Sequence, residues 1–199
     1  VAIPPKKIGL FFGSFNPIHV GHMIIANHMI NETDLDQVWM VVSPQNPHKK
    51  KNTLAKDYDR LNMVKEAIGD NIRIKASNIE FGLSIPSYTV DTLAFLTEKY
   101  PKDEFSLIMG GDNIGSFHKW KNYETILKYH NIFVYSRPNY ELGDLADHPK
   151  VTILEAPLLD ISASYIRKCI KEGKSIRYLV SEKVYEFIKD SGAYKFLDN

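Results

Sequence analysis

The apolar run Ile8-Gly9-Leu10-Phe11-Phe12 leads directly into Gly13-Ser14-Phe15-Asn16-Pro17-Ile18-His19-Val20-Gly21-His22. An uninterrupted run of this kind marks a strand buried on both faces of a parallel sheet. Gly13 permits a sharp exit from the strand, and Pro17 fixes one torsion of the loop beyond it. From about Val20, the apolar residues Met23, Ile24, Ala26, Met29 and Ile30 suit a helix packed back on the strand. Strand, short loop and helix aim backbone N–H groups and the positive end of a helix dipole at an anion. His19 and His22, three residues apart, can both face that entrance, and Gly21 between them lets a ligand approach the backbone. The segment reads as a phosphate site carrying two imidazoles.

The rest of the chain repeats the alternation. Gln37–Ser43 is a second buried-strand run, and Pro44 and Pro47 bracket a loop ending in His48-Lys49-Lys50-Lys51. Asp57–Ile68 reads as a helix with Leu61, Val64 and Ile68 on one face and Gly69 as its stop. Ile72–Ala76 alternates like a short strand near a sheet edge. Ser87-Tyr88-Thr89 opens a helix through Tyr100 with Val90, Leu93, Ala94 and Leu96 inward. Phe105–Met109 is a strong strand running into Gly110-Gly111-Asp112. A helix over Tyr123–Lys128, a strand over Ile132–Tyr135, a surface loop over 139–150 and a strand over Val151–Leu154 follow. Helices near Ser162–Glu172 and Ser181–Asp190 close the chain. The pattern predicts an α/β fold, a Rossmann-like doubly wound parallel sheet with helices on both faces. Ligands of such sheets bind beyond the carboxyl ends of the strands, where the polar clusters here fall.

At 199 residues the chain suits a single domain spanning 1–199. A formal net charge of +1 provides no general attraction to nucleic acid or acidic membranes. Cys169 is the sole cysteine, which excludes an internal disulfide and makes a reducing, cytoplasmic setting the expectation. No stretch reaches membrane-spanning length, and no signal-peptide core opens the chain. Oligomeric state, a homo-oligomer included, is left open.

Three readings of His19 and His22 compete. A purely structural role would need partners around both rings; zinc ligation would require a third ligand, and His28 points off their face. Phosphate binding has the glycine, the helix entrance and the preceding strand in its support. The decapeptide resembles the HxGH signature of the nucleotidyltransferase superfamily, and its wording is similar to that of bacterial nicotinate-nucleotide adenylyltransferases. The resemblance extends from Gly9 to Tyr194.

The resemblance implies that His19 and His22 contact ATP phosphates and stabilise transition-state charge, with Gly13, Ser14 and Phe15 contributing to the same loop. Ile161-Ser162-Ala163-Ser164-Tyr165-Ile166-Arg167 reads, by itself, as a capped amphipathic helix with Tyr165, Ile166, Cys169 and Ile170 inward. It also resembles the family's ISSTxxR motif, which assigns Ser162, Ser164 and Arg167 to the triphosphate, Arg167 joining the two histidines in catalysis. Gly110 and Asp112 are either a turn or, by resemblance, part of the ATP site, with Asp112 accepting from the ribose diol.

For the second substrate, Ser87-Tyr88-Thr89 matches the SYT segment whose backbone meets the pyridine carboxylate in the family. Trp120 resembles the tryptophan that stacks on the nicotinate ring. His48 and Lys49 resemble the PH[KR] element near the mononucleotide phosphate, and Arg137 matches another phosphate-side position. Four features depart from the pattern: Phe12 replaces the first glycine of the usual loop, Asn16 stands where Asp is common, Lys121 follows Trp120 where some members carry an aromatic, and the Pro44–Lys49 loop is short. The implied reaction transfers AMP from ATP, with Mg²⁺ bound alongside it, to nicotinate mononucleotide. The rivals are phosphopantetheine adenylyltransferase, which shares both phosphate motifs, and a non-catalytic nucleotide-binding domain. No protein metal ligand set is expected.

Overall fold

The computed structural model describes residues 4–44, 54–136, 143–157 and 159–195. Among these residues six strands form one parallel sheet: β1 (Lys7–Gly13), β2 (Gln37–Val42), β3 (Ile74–Ser77), β4 (Glu104–Gly110), β5 (Ile132–Tyr135) and β6 (Val151–Leu154). Their order is β3-β2-β1-β4-β5-β6, so the winding reverses between β1 and β4. That reversal opens a crevice at the carboxyl ends of these two strands. Register places Leu10 of β1 beside Trp39 on one side and Leu107 on the other.

The helices of the described residues are α1 (Val20–Glu32), α2 (Asp57–Ile68), α3 (Thr89–Lys99), α4 (Gly111–Ile114), α5 (Tyr123–Tyr129), α6 (Ala163–Lys171) and α7 (Glu182–Ser191). Alternation along the strands divides the core between two faces. Phe11, Met40, Ile108 and Phe133 pack with α1, α2, α6 and α7, whereas Leu10, Leu107, Met109 and Val134 pack with α3, α4 and α5. The sheet is therefore covered on both sides, as the uninterrupted apolar runs require. Among the described residues no helix is long and apolar enough to cross a membrane.

Local chemistry sets most element ends. Gly69 adopts φ +60° and ends α2, with its N–H on the Lys65 carbonyl. Ser162 caps α6 by accepting from Tyr165 N at 3.2 Å. Three expectations need correction. The edge strand begins at Ile74, not Ile72, because Asn71 Oδ1 accepts from the N–H groups of Arg73 and Ile74 and holds a turn there; Ile72 is 84% exposed. In α3 the buried face is Thr92, Leu93 and Leu96, and Ala94 is exposed. In α6 only Ile166 and Cys169 are fully buried, while Tyr165 projects to solvent.

Candidate functional site

The β1–α1 loop is held from several directions. Gly13 ends β1 where an added Cβ would sit 2.8 Å from the Phe15 ring, which is itself buried. A side chain at 13 would therefore collide with the core. Gly21 meets the same limit more mildly, since a Cβ there would lie 3.1 Å from His19 Nδ1. The His19 and His22 rings lie almost face to face, with centroids 3.7 Å apart and planes inclined by 31°. His22 Nδ1 accepts from the His19 backbone N–H at 3.2 Å. A neutral His22 consequently carries its proton on Nε2, a donor suited to an anionic oxygen. Phe15 and Phe11 flank the His22 ring at 5.1 and 6.1 Å.

The loop backbone is fastened by two arginines. Arg60 of α2 is fully buried and donates to the carbonyls of Ser14 (2.6 Å), Ser43 (2.8 Å) and Ala55 (3.1 Å), and to Asp57 Oδ1 at 2.6 Å. Arg167 of α6 donates through Nη1 to the Asn16 carbonyl at 2.7 Å and through Nη2 to Ser164 Oγ at 3.2 Å. Burial pushes the Arg167 guanidinium below its ordinary pKa, an effect opposed by Tyr194. Asn16 Oδ1 accepts from Ala55 N at 3.1 Å and from the Tyr194 hydroxyl at 2.9 Å. Burial drives the Tyr194 phenol well above its usual pKa, so it remains a donor. Residues 16, 167 and 194 thus meet, and the histidine loop shares one junction with the start of α6.

The second-substrate residues gather beside it. A cavity of 680 Å³ is lined by Gly13 and Ser14 of the loop, by Ser87, Tyr88 and Thr89 at the start of α3, and by Trp120. Phe12 also lines it, so the bulky departure at that position forms part of the wall. Trp120 leans on buried Phe117, ring centroids 5.0 Å apart. Lys121 sits at the same cavity, its Nζ 3.1 and 2.9 Å from the two Asp91 carboxylate oxygens and 4.7 Å from the Tyr88 ring centroid. Gly110 ends β4, and Asp112 lies exposed on α4, a helical turn rather than a free loop. Asp112 does not line the 680 Å³ cavity, although its neighbours Asn113 and Ser116 do. Ser162 and Ser164 are exposed at the start of α6. His48, Lys49 and Arg137 lie outside the described residues. A larger cavity of 730 Å³ opens between α3 and α5 near Glu104 and Asn131, at the amino ends of the strands, and none of the expected site residues lines it.

Several residues of this site escape sequence reasoning. Arg60 has a signal: it lies on the buried stripe of α2 with Leu61, Met63 and Val64, where an arginine needs partners. Asn16 stands out only as a departure, and nothing local marks Tyr194 as its partner. Glu80, at 3% exposure, lines the 680 Å³ cavity from a short 3₁₀ turn, Ile79–Gly82, which has no periodicity to betray it.

Residues 10–169 match the cytidylyltransferase-like family model. A probable nicotinate-nucleotide adenylyltransferase of Flavobacterium johnsoniae is 56% identical, over 95% of this chain and 99% of that protein. One from Cytophaga hutchinsonii is also 56% identical, over 92% and 95% of the two chains. Among solved structures, Plasmodium falciparum nicotinic acid mononucleotide adenylyltransferase complexed with NaAD superposes with a TM-score of 0.79 at 22% identity, covering 96% of this chain and 98% of that one. With the HxGH loop, the β1/β4 crevice and these full-length matches in place, the chain belongs to the cytidylyltransferase-like family, among the nicotinate-nucleotide adenylyltransferases.

Proposed function

We propose that the chain transfers AMP from ATP to nicotinate mononucleotide, forming nicotinate adenine dinucleotide and releasing pyrophosphate. The observation that carries this reading is the junction of the His19/His22 loop with Arg167 through the Asn16 carbonyl, beside a cavity shared by Ser87-Tyr88-Thr89 and Trp120. The names of the full-length relatives support the same reaction.

In this reading the mononucleotide 5′-phosphate attacks the α-phosphorus of ATP in line. A new P–O bond forms as the bond to the β-phosphate oxygen breaks, and pyrophosphate leaves with that electron pair. No side chain forms a covalent bond. Charge accumulates on the α-phosphate oxygens, and in this reading the His22 Nε2–H, the His19 ring and the Arg167 guanidinium stabilise it. Gly13, Ser14 and Phe15 hold the loop against the triphosphate, while Ser162 and Ser164 offer hydroxyls at the N-terminus of α6. Asp112 and Gly110 serve the nucleoside end, and His48, Lys49 and Arg137 the mononucleotide phosphate. Among the described residues no three His, Cys, Asp or Glu side chains converge as a metal set. In this reading Mg²⁺ arrives with ATP and would be held mainly by phosphate oxygens and water, where it would neutralise phosphate charge.

Pyrophosphate release, measured with ATP and each of nicotinate mononucleotide, nicotinamide mononucleotide and phosphopantetheine, tests the reading. Release with the first substrate is expected to dominate. Release only with phosphopantetheine would assign the rival, and nucleotide binding without release would leave a non-catalytic domain. His19→Ala is expected to lower kcat by about a hundredfold or more, with the KM for the mononucleotide changed only a few-fold. Near-normal turnover in that variant would remove His19 from the chemistry.

A further inference from the structure

The wall of the 680 Å³ cavity carries one acidic side chain, Glu80, and two lysines, Lys119 and Lys121, that no part of the phosphate chemistry uses; of the lysines, Lys121 is the one held in place by charged and aromatic neighbours. Glu80 is buried; its Oε1 accepts from Thr92 Oγ1 at 2.9 Å, and its Oε2 has no hydrogen-bond partner among the described residues. A buried carboxylate with one oxygen left without a partner is costly, and a cation brought close to it offsets that cost. At the rim, Lys121 is fixed by both oxygens of Asp91 and by the face of Tyr88. Asp91 and Thr92 are consecutive in the first turn of α3, one exposed and one buried. A single helical turn therefore holds the carboxylate on the inner wall and the ammonium at the mouth. Tyr88 touches both arrangements, since its carbonyl also accepts from Thr92 Oγ1 at 3.4 Å.

The mononucleotide proposed above has a matching charge pattern. Its ring nitrogen carries the ribose, so the ring is a pyridinium cation, and its ring substituent is a carboxylate. We propose that Glu80 and Lys121 make this cavity a dipolar cradle for a zwitterionic pyridinium carboxylate, Glu80 facing the ring cation and Lys121 the carboxylate. The Glu80 contribution is electrostatic through the wall, because Oε2 is occluded from solvent. Trp120 adds its π face to the same cation. Glu80 and Lys121 then have separate duties. Glu80 serves any N-ribosylated pyridine, acid or amide. Lys121 distinguishes the acid from the amide, because only the acid brings a negative charge to the rim.

This inference rests on the function proposed above, and the test separates the two. Steady-state kinetics are measured for the wild type, Glu80→Gln and Lys121→Met with nicotinate mononucleotide, with nicotinamide mononucleotide as substrate or competitor, and with ATP varied in parallel. Gln keeps an acceptor for Thr92 while removing the charge, so the fold is retained; an unchanged KM for ATP and an unchanged melting temperature check this. Glu80→Gln is expected to weaken both mononucleotides by about tenfold and leave the acid-to-amide ratio intact. Lys121→Met is expected to weaken the acid several-fold and the amide little, lowering the ratio. Unchanged mononucleotide affinity in Glu80→Gln, or an unchanged ratio in Lys121→Met, overturns the cradle while wild-type dinucleotide synthesis keeps the function. A wild type that makes no dinucleotide removes both.

Discussion

Arg60 shows how much of this site depends on a side chain that need touch no substrate. Its guanidinium reaches the carbonyls of Ser14, Ser43 and Ala55 as well as Asp57, from a fully buried position. Those carbonyls belong to the ends of β1 and β2 and to the segment entering α2, so one residue fixes three backbones against each other. Removing it strands buried acceptors and leaves a void. Arg60→Met is expected to destabilise the fold by about 3 kcal/mol or more, read as a lowered urea midpoint. Lysine keeps the charge but not the planar fork, so Arg60→Lys is expected to recover only part of that loss. Gly13→Ala tests a different limit at the same loop. Its methyl would press on Phe15, and a cost of about 1–3 kcal/mol is expected in the same measurement. A Gly13→Ala protein as stable as the wild type would show that the Phe15 ring can yield.

At the scale of elements, the strands and the longer helices are legible in the sequence, the four-residue β5 and β6 included, and the short helical turns are not. β1, β2, β4 and β5 declare themselves through apolar runs, and α1, α2, α6 and α7 through their spacing and caps. α4 and the 3₁₀ turns Ile79–Gly82 and Phe117–Lys119 span four residues or fewer, too short for any period to register. Yet these turns carry Asp112 and Glu80 and lead into Trp120. The HxGH loop, Arg167, the SYT segment and Trp120 are readable because each has a residue pattern. Arg60, Asn16 and Tyr194 act through contacts between distant segments, which no local pattern encodes. A pH prediction belongs to the same scale. His130, following α5, donates from Nδ1 to the Phe105 carbonyl at 2.9 Å. Burial depresses its pKa, the carbonyl bond opposes that shift, and Lys150 adds to it. The unfolded chain thus binds this proton more readily, and stability falls as pH drops from about 6.5 toward the lower folded value. Melting temperatures across that interval are expected to fall less steeply for His130→Gln than for the wild type. Parallel slopes would mean that other groups govern the acid limb.

Across the whole molecule, the parallel order β3-β2-β1-β4-β5-β6 brings the beginning and the end of the chain to one crevice. Asn16 is where they join: its carbonyl takes Arg167, 151 residues away, and its side-chain oxygen takes Tyr194, 178 residues away. The Val20 N–H adds a third tie, to the Leu179 carbonyl at 3.0 Å. The segment from α6 to Tyr194 therefore acts as a clasp on the histidine loop, while its helices cover one face of the sheet. Tyr194→Phe removes one hydrogen bond from Asn16 without changing shape, at a cost of about 1 kcal/mol. Arg167→Lys shortens the reach to the Asn16 carbonyl and gives up the fork. If both ties position one loop, their effects on kcat/KM depend on each other, and the double variant departs from additivity by about 0.5 kcal/mol or more. A double-mutant cycle on pyrophosphate release, with urea unfolding measured on the same four proteins, separates that coupling from a simple loss of stability. Additive losses in kcat/KM would mean that Arg167 and Tyr194 act independently of each other, so that no shared clasp positions the loop.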